Sequence, residues 1–152
     1  MKTAVVVMSK HHGNTRKLVD AIAREHEITV IDAGANSSTD LSGYDCIGFA
    51  SGIAYGKFYK QIGDIIENDL PSGKKVFFLY TCARNDKDFA AHEREQAQKK
   101  GCKVLGVYGC SGFNTYSVLK LIGGINKGHP DESELRGAVD FFAALPIGEG
   151  GK

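Results

Sequence analysis

The chain has 152 residues, and its 19 Lys plus Arg against 18 Asp plus Glu leave a formal charge of +1, which excludes a broad electrostatic attraction to nucleic acid or to an anionic membrane. A chain of this length buries about 68–70% of its unfolded surface as one domain, enough for a core without staples. Cys46, Cys82, Cys102 and Cys110 show no CxxC spacing, so neither a zinc site nor a secreted disulfide framework is expected, and the set of metal ligands is taken as empty. No apolar run reaches the length of a leader core or a membrane span, and the expected location is the cytoplasm.

In chain order, Ala4 to Met8 reads as a first strand, and the turn "SKHHGNT" from Ser9 to Thr15 follows it. Leu18, Val19, Ile22 and Ala23 then recur at helical spacing. Ile28 to Ile31 and Cys46 to Ala50 predict strands two and three, with a loop from Ser51 to Lys57. Phe58, Ile62, Ile65, Ile66 and Leu70 share one helical stripe that Pro71 stops, so Phe58 is expected to be a helical core residue. Val76 to Tyr80 is the fourth strand, with a loop from Thr81 to Asp86. Phe89 to Lys100 is a charged helix, expected to be capped by Asp86 and Asp88, carrying Lys99 and Lys100 as its cationic end and Gly101 as its C-cap. Val104 to Tyr108 is the fifth strand, and the segment from Cys110 to Pro130 is long enough to be a binding loop. Asp131 and Glu134 have capping-box spacing and open a last helix with Leu135, Ala138, Val139 and Phe142 inward. The domain is expected to span 1–146, with 147–152 as a frayed tail.

Strands alternating with helices imply an α/β domain of three layers, a five-stranded parallel sheet with helices on both faces. Two doubly wound orders suit five strands, a Rossmann-like half and the order 2-1-3-4-5, and both bind ligands at the carboxyl ends of strands. The first turn discriminates between ligands. A dinucleotide turn needs GxGxxG, and although Asp32 fits its acidic position, Gly13 is the single glycine of this turn; GxxxxGK followed by Ser or Thr is also absent. What remains suits one terminal phosphate at the positive end of the first helix, held by backbone N–H groups, the hydroxyls of Ser9 and Thr15 and the amide of Asn14. His11 and His12 are more simply exposed imidazoles, and a bland alternative for the turn is a helix start capped by Asn14.

These residues resemble a known family. "SKHHGNT" is similar to the flavodoxin phosphate loop, Ser/Thr-x-Ser/Thr-Gly-x-Ser/Thr, with Gly13, Asn14 and Thr15 matching and Lys10 and His12 standing at hydroxyl positions. "ASGIAYGKFYKQI" from Ala50 resembles the family's ring-flanking segment through Ser51, Gly52, Tyr55 and Gly56, and "YTCARND" sits where its other ring-contacting loop begins. The segment from Cys110 to Pro130 resembles the tail of short flavodoxin-like proteins of anaerobic microbes. The resemblance implies the 2-1-3-4-5 fold and non-covalent FMN, bound by Ser9, Lys10, His11, His12, Gly13, Asn14 and Thr15 at the phosphate and by Ser51, Gly52, Ile53, Ala54, Tyr55, Gly56, Thr81, Cys82, Ala83 and Arg84 around the ring. It implies an electron carrier between larger redox proteins, here expected as a monomer, with no catalytic residue of its own. An FMN oxidoreductase reducing a quinone or another small acceptor is the alternative; a flavin-free receiver module ranks far below, because Met8, Ser9, Ala50 and Ser51 stand where it needs acids.

Three expectations concern single residues. Tyr55, between glycines, is expected to meet the ring. Cys82 and Cys110 close adjacent strands and are expected as buried thiols, with a disulfide as the alternative. Lys10, Lys57, Arg84, Lys87 and Lys127 outnumber Asp86 and Asp88 around the strand-end loops, which implies a less negative reduction potential than that of acidic flavodoxins.

Overall fold

Thr3–Met8 (β1), Thr29–Asp32 (β2), Cys46–Ala54 (β3), Lys57–Phe58 (β4), Lys75–Cys82 (β5) and Lys103–Ser111 (β6) form one sheet in the computed structural model, which describes residues 1–10, 13–35, 39–112 and 127–147. The parallel order is β2-β1-β3-β5-β6, with β4 added antiparallel to β3. This is the expected fold, with six strands rather than five. The helices are Asn14–Glu25 (α1), Lys60–Asp69 (α2), Ala91–Lys99 (α3) and Glu132–Ala144 (α4). The segment 113–126, most of the long loop anticipated after the last strand, lies outside the described residues, as do His11 and His12.

β1 is buried at every position because both faces of the sheet are covered. Alternation along the strands divides the core. Val6, Met8, Ile47, Phe49, Phe78 and Tyr80 pack under α2 and α3, whereas Val5, Val7, Cys46, Ala50, Phe77 and Leu79 pack under α1 and α4. β3 and β5 approach closely at the centre. Gly48 is paired with Phe77, and a Cβ at Gly48 would stand 2.3 Å from that ring. The ring fills the space instead and meets Phe142 edge-on at 5.6 Å.

Several boundaries differ from those read in the sequence, for identifiable reasons. Phe58 is not helical. Tyr55 and Gly56 both have positive φ (55° and 76°), the geometry of a two-residue hairpin turn, so the chain reverses and Ile53 pairs with Phe58. Phe58 remains a core residue, edge-on to Phe78 and Tyr80, while Ser51 to Ala54 extend β3 rather than forming a loop. Thr81 and Cys82 likewise complete β5. α3 starts at Ala91 with Ala90 at its capping position and no side-chain cap, so neither Asp86 nor Asp88 caps it as expected; Asp88 instead accepts the Ala90 N–H at 3.0 Å just before the helix. Asn14 is the first helical residue of α1, and the capping position belongs to Gly13.

Lys100 serves a helix other than its own. Its ammonium donates to the carbonyls of Ile66, Glu67 and Leu70 at 2.6, 2.7 and 2.9 Å, satisfying the C-terminal end of α2. Lys99 stays on α3 and pairs with Glu95. Gly101 adopts φ 75° as expected beyond the end of α3, and the anticipated Asp131–Glu134 capping box opens α4 with both of its hydrogen bonds formed. At the other end of the chain, Ile147 packs on the α1–α4 side of the core, and its carbonyl accepts from Lys75 at 2.9 Å. Among the described residues no helix is long and apolar enough to cross a membrane.

Lys100→Met removes the charge that ties α3 to α2 while retaining most of the aliphatic stem. It is expected to lower unfolding free energy by about 1–2 kcal/mol, the range for charge-assisted hydrogen bonds that are partly solvated. Urea titration measures this; an unchanged midpoint would show that water replaces the ammonium at no cost.

Candidate functional site

The carboxyl ends of β1, β3, β5 and β6 lie along one edge of the sheet, and two adjoining concavities open there. The first is a polar cleft lined by Ser9, Lys10, Asn14, Thr15, Gly52, Ile53, Tyr59, Thr81, Cys82 and Gly112. The second is a larger, more apolar slot between the β3–β4 hairpin and the β5–α3 loop, and it shares Ile53 and Cys82 with the cleft.

The cleft meets α1 at its positive end. Gly13, at φ 65°, begins the helix without a side-chain cap, and no acidic residue lies in the first turn. Ser9 Oγ accepts the Arg16 N–H at 3.2 Å, which orients the hydroxyl and leaves its hydrogen to donate elsewhere. Thr15 is fully buried and its hydroxyl bonds that of Thr81 at 2.8 Å, tying the start of α1 to the end of β5. Gly112 closes the cleft where a side chain is sterically excluded: a Cβ there would stand 2.7 Å from Asn14 Nδ2. Among the described residues no carboxylate lines the cleft. Hydroxyl and amide groups, a lysine and a helix N-terminus make a donor set for an anion.

The slot is built around the hairpin turn. Ile53, Ala54, Tyr55 and Gly56 form one wall, and Cys82, Ala83, Arg84, Asp86, Lys87 and Phe89 form the other. Tyr55 is 97% exposed at its rim, held there by the left-handed backbone that the hairpin requires. Cys82 lies at the junction of cleft and slot. Burial, with Asp86 and Glu134 adding to it, pushes its thiol up to about 12, so it is a neutral S–H and donates to the Cys110 carbonyl at 3.5 Å. No disulfide forms. The register aligns Cys82 with Ser111 and Thr81 with Cys110, which sends the two sulfurs to opposite faces of the sheet.

Of the residues singled out in the sequence, Ser9, Lys10, Asn14, Thr15, Gly52, Ile53, Thr81 and Cys82 line the cleft, while Ala54, Tyr55, Gly56, Ala83 and Arg84 line only the slot. Ser51 lines neither. Its hydroxyl is consumed inside the hairpin, donating to Gly52 O at 2.7 Å and accepting the Tyr59 N–H at 2.9 Å. Tyr59 and Gly112 were not anticipated. A Cβ at Gly52 would touch the Tyr59 ring at 3.0 Å, and Lys10 lies over that ring at 5.3 Å. Only the aromatic run "YGKFY" hinted at Tyr59, and spacing cannot tell which of its rings faces a site.

His129, half-buried, is held at the start of α4. Its Nδ1 hydrogen-bonds Glu134, whose carboxylate also accepts from Asp131 N at 2.9 Å and from Ser111 N at 3.2 Å, joining α4 to the end of β6. His129, Asp131 and Glu134 are close enough to share a cation. The capping role of both carboxylates and the positive end of α4 oppose one.

A family model described as a flavodoxin domain matches residues 5–120. An uncharacterized protein of Methanocaldococcus jannaschii is 34% identical over 147 residues, covering 95% of this chain and 98% of that protein. Among solved structures, oxidised flavodoxin 2 from Bacillus cereus superposes with a TM-score of 0.66 at 20% identity, covering 93% of this chain and 94% of its own. General stress protein 14 from Treponema denticola, solved in complex with FMN, has the same TM-score at 11% identity and covers 95% of this chain and 99% of its own. At these identities the solved structures establish the fold.

The hydrogen bond to Glu134 raises the His129 pKa above its ordinary 6.5. A raised folded-state value means the bond stabilises fully below 6.5 and its contribution is lost as pH rises through the higher folded value. Wild type is therefore expected to exceed His129→Gln in urea midpoint most at mildly acidic pH, with the gap closing toward alkaline pH. A gap independent of pH would show that the imidazole acts through packing alone.

Proposed function

The chain belongs to the flavodoxin family, and from that premise we propose that it binds FMN at the strand ends and carries electrons between larger redox proteins. The observation that carries this reading is the continuity of the two concavities through Ile53 and Cys82. A polar, carboxylate-free cleft at an uncapped helix start suits a terminal phosphate, and the apolar slot beyond it suits a planar ring. Ser9 and Asn14 would hold the phosphate with the first backbone N–H groups of α1; Ile53, Tyr55 and Ala83 would flank the ring and exclude water. FMN would supply the one- and two-electron redox chemistry, and the protein supplies binding, orientation and electrostatics. The FMN complex of the Treponema relative supports the choice of cofactor.

The chain's own residues do three things here. Thr15 and Thr81 fix the cleft from inside, so the donors above them keep their spacing. Ser51 fixes the hairpin and with it the Tyr55 wall. Arg84 and Lys87 bring positive charge to the slot against Asp86, which favours a reduced, more negative ring.

Titration by flavin fluorescence is expected to give tighter binding of FMN than of riboflavin. Asn14→Ala or Ser9→Ala should cost FMN about 1–3 kcal/mol, the range for a lost hydrogen bond to a charged group, and leave riboflavin nearly unchanged. Equal affinity for the two flavins would remove the phosphate site. In the loaded protein, Arg84→Glu should move the reduction potential to more negative values, by tens of millivolts on the order set by one exposed charge; an unmoved potential would place the guanidinium away from the ring.

A further inference from the structure

The charge around the mouth of the slot is not that of the chain as a whole. Arg84 and Lys87 are exposed on one wall with Asp86 between them in sequence, and Lys57 is exposed on the hairpin just beyond Gly56 of the other wall, lining the neighbouring concavity with the buried Glu93. None of the four forms an ion pair among the described residues; Lys87 instead lies over the Phe89 ring at 5.4 Å, and the neighbouring Asp88 is taken by Arg94. Among the described residues Lys57, Arg84, Asp86 and Lys87 sum to +2, in a chain of net +1 whose other 16 cations and 17 acids sum to −1. Lys10 stands apart from this patch, at the polar cleft and over Tyr59.

We propose that this mouth is the docking surface for an acidic redox protein, one whose own electron-transfer site is ringed by carboxylates. The inference rests on the electron-carrier reading above and names its partner's chemistry. The inner side of the slot is closed by β3, β5 and the core beneath them, so a partner reaches a bound ring past the Tyr55 hairpin and the β5–α3 loop. That path passes Lys57, Arg84 and Lys87. Their fields attract a carboxylate-rich face and repel a basic one, and at low ionic strength such steering raises association rates by about 10–10³-fold. Tyr55, 97% exposed on the same hairpin as Lys57, adds a large apolar surface at the slot, and Tyr and Arg are residue types that anchor interfaces. A phosphate held in the cleft would offset Lys10 and leave the three cations at the slot in place.

The test is an amide-shift titration of the isotope-labelled full chain with an acidic b-type cytochrome and, separately, a basic c-type cytochrome, at low and high ionic strength. The acidic protein should shift Tyr55 to Lys57 and Arg84 to Lys87 at low salt, with affinity falling about tenfold or more as salt shortens the Debye length. The basic protein should leave those amides in place, and Lys57→Glu with Arg84→Glu should reverse the preference; each single variant guards against a fold defect in the pair. Shifts clustered on another face, a preference of the wild type for the basic protein, no response to either, or equal shifts with single-stranded DNA would each overturn the proposal. Because the titration reads contact and not electron flow, it decides the docking surface whether or not flavin binds; the flavin titration decides the cofactor.

Discussion

The hydroxyl-to-hydroxyl bond between Thr15 and Thr81 joins α1 to β5, the two elements that meet beneath the polar cleft. Thr15 is in the first turn of α1 and Thr81 is near the end of β5, and both are buried. With this bond made inside, the positive end of α1 faces outward into the cleft while β5 continues one residue further to Cys82, where the slot begins. The glycines on either side respect the same spacing. Gly52 lies against Tyr59, and Gly112 lies against Asn14, each at a distance that excludes a Cβ without movement of its neighbour.

Around that fixed edge the fold uses several polar side chains as fasteners between elements, besides the local capping box of α4. Ser9 reaches forward to Arg16, Ser51 holds the hairpin to the entry of α2, Lys100 closes the end of α2 from α3, and Glu134 joins α4 to β6. Each satisfies backbone groups that a helix end or strand end leaves open. At the start of α1, where Ser9 takes the Arg16 N–H, the capping position is a glycine and the first turn has no acid. A helix start without an acid, beside the hydroxyl, amide and lysine groups of the cleft, is the structural basis for reading an anion site there.

The hairpin shapes the second half of the site. A tyrosine in the left-handed region is unfavourable for a bulky residue, and the conformation persists because Ala54 pairs with Lys57 and Ile53 with Phe58 across the turn. The result is a rigid wall with Phe58 anchored in the core below and Tyr55 projecting at the rim. Opposite it, the β5–α3 loop is pinned by the Tyr80 hydroxyl, which donates to Asn85 and to the Lys87 carbonyl, both at 3.2 Å. The charges of Arg84 and Lys87 are therefore presented by a loop with a defined course.

The amino-acid sequence by itself determined the α/β alternation and the strand order once its loops were compared with a family, and it pointed to the turn between β1 and α1 as a candidate anion site, because hydrophobic periodicity and turn chemistry are local properties. It also placed the capping box of Asp131 and Glu134 and the glycine beyond α3, whose partners lie within a few residues. The tertiary structure alone decided that Phe58 belongs to a hairpin, that Lys100 caps another helix, that Ser51 is consumed in the fold, that Cys82 and Cys110 face opposite sides of the sheet, and that Tyr59 and Gly112 complete the cleft. The physical reason is common to all of these. Each depends on a partner brought near by the packing of distant segments, Lys100 onto the carbonyls of α2 and Gly112 onto Asn14, or on a strand register that turns neighbouring side chains to opposite faces, and neither spacing nor residue type along the chain encodes those distances.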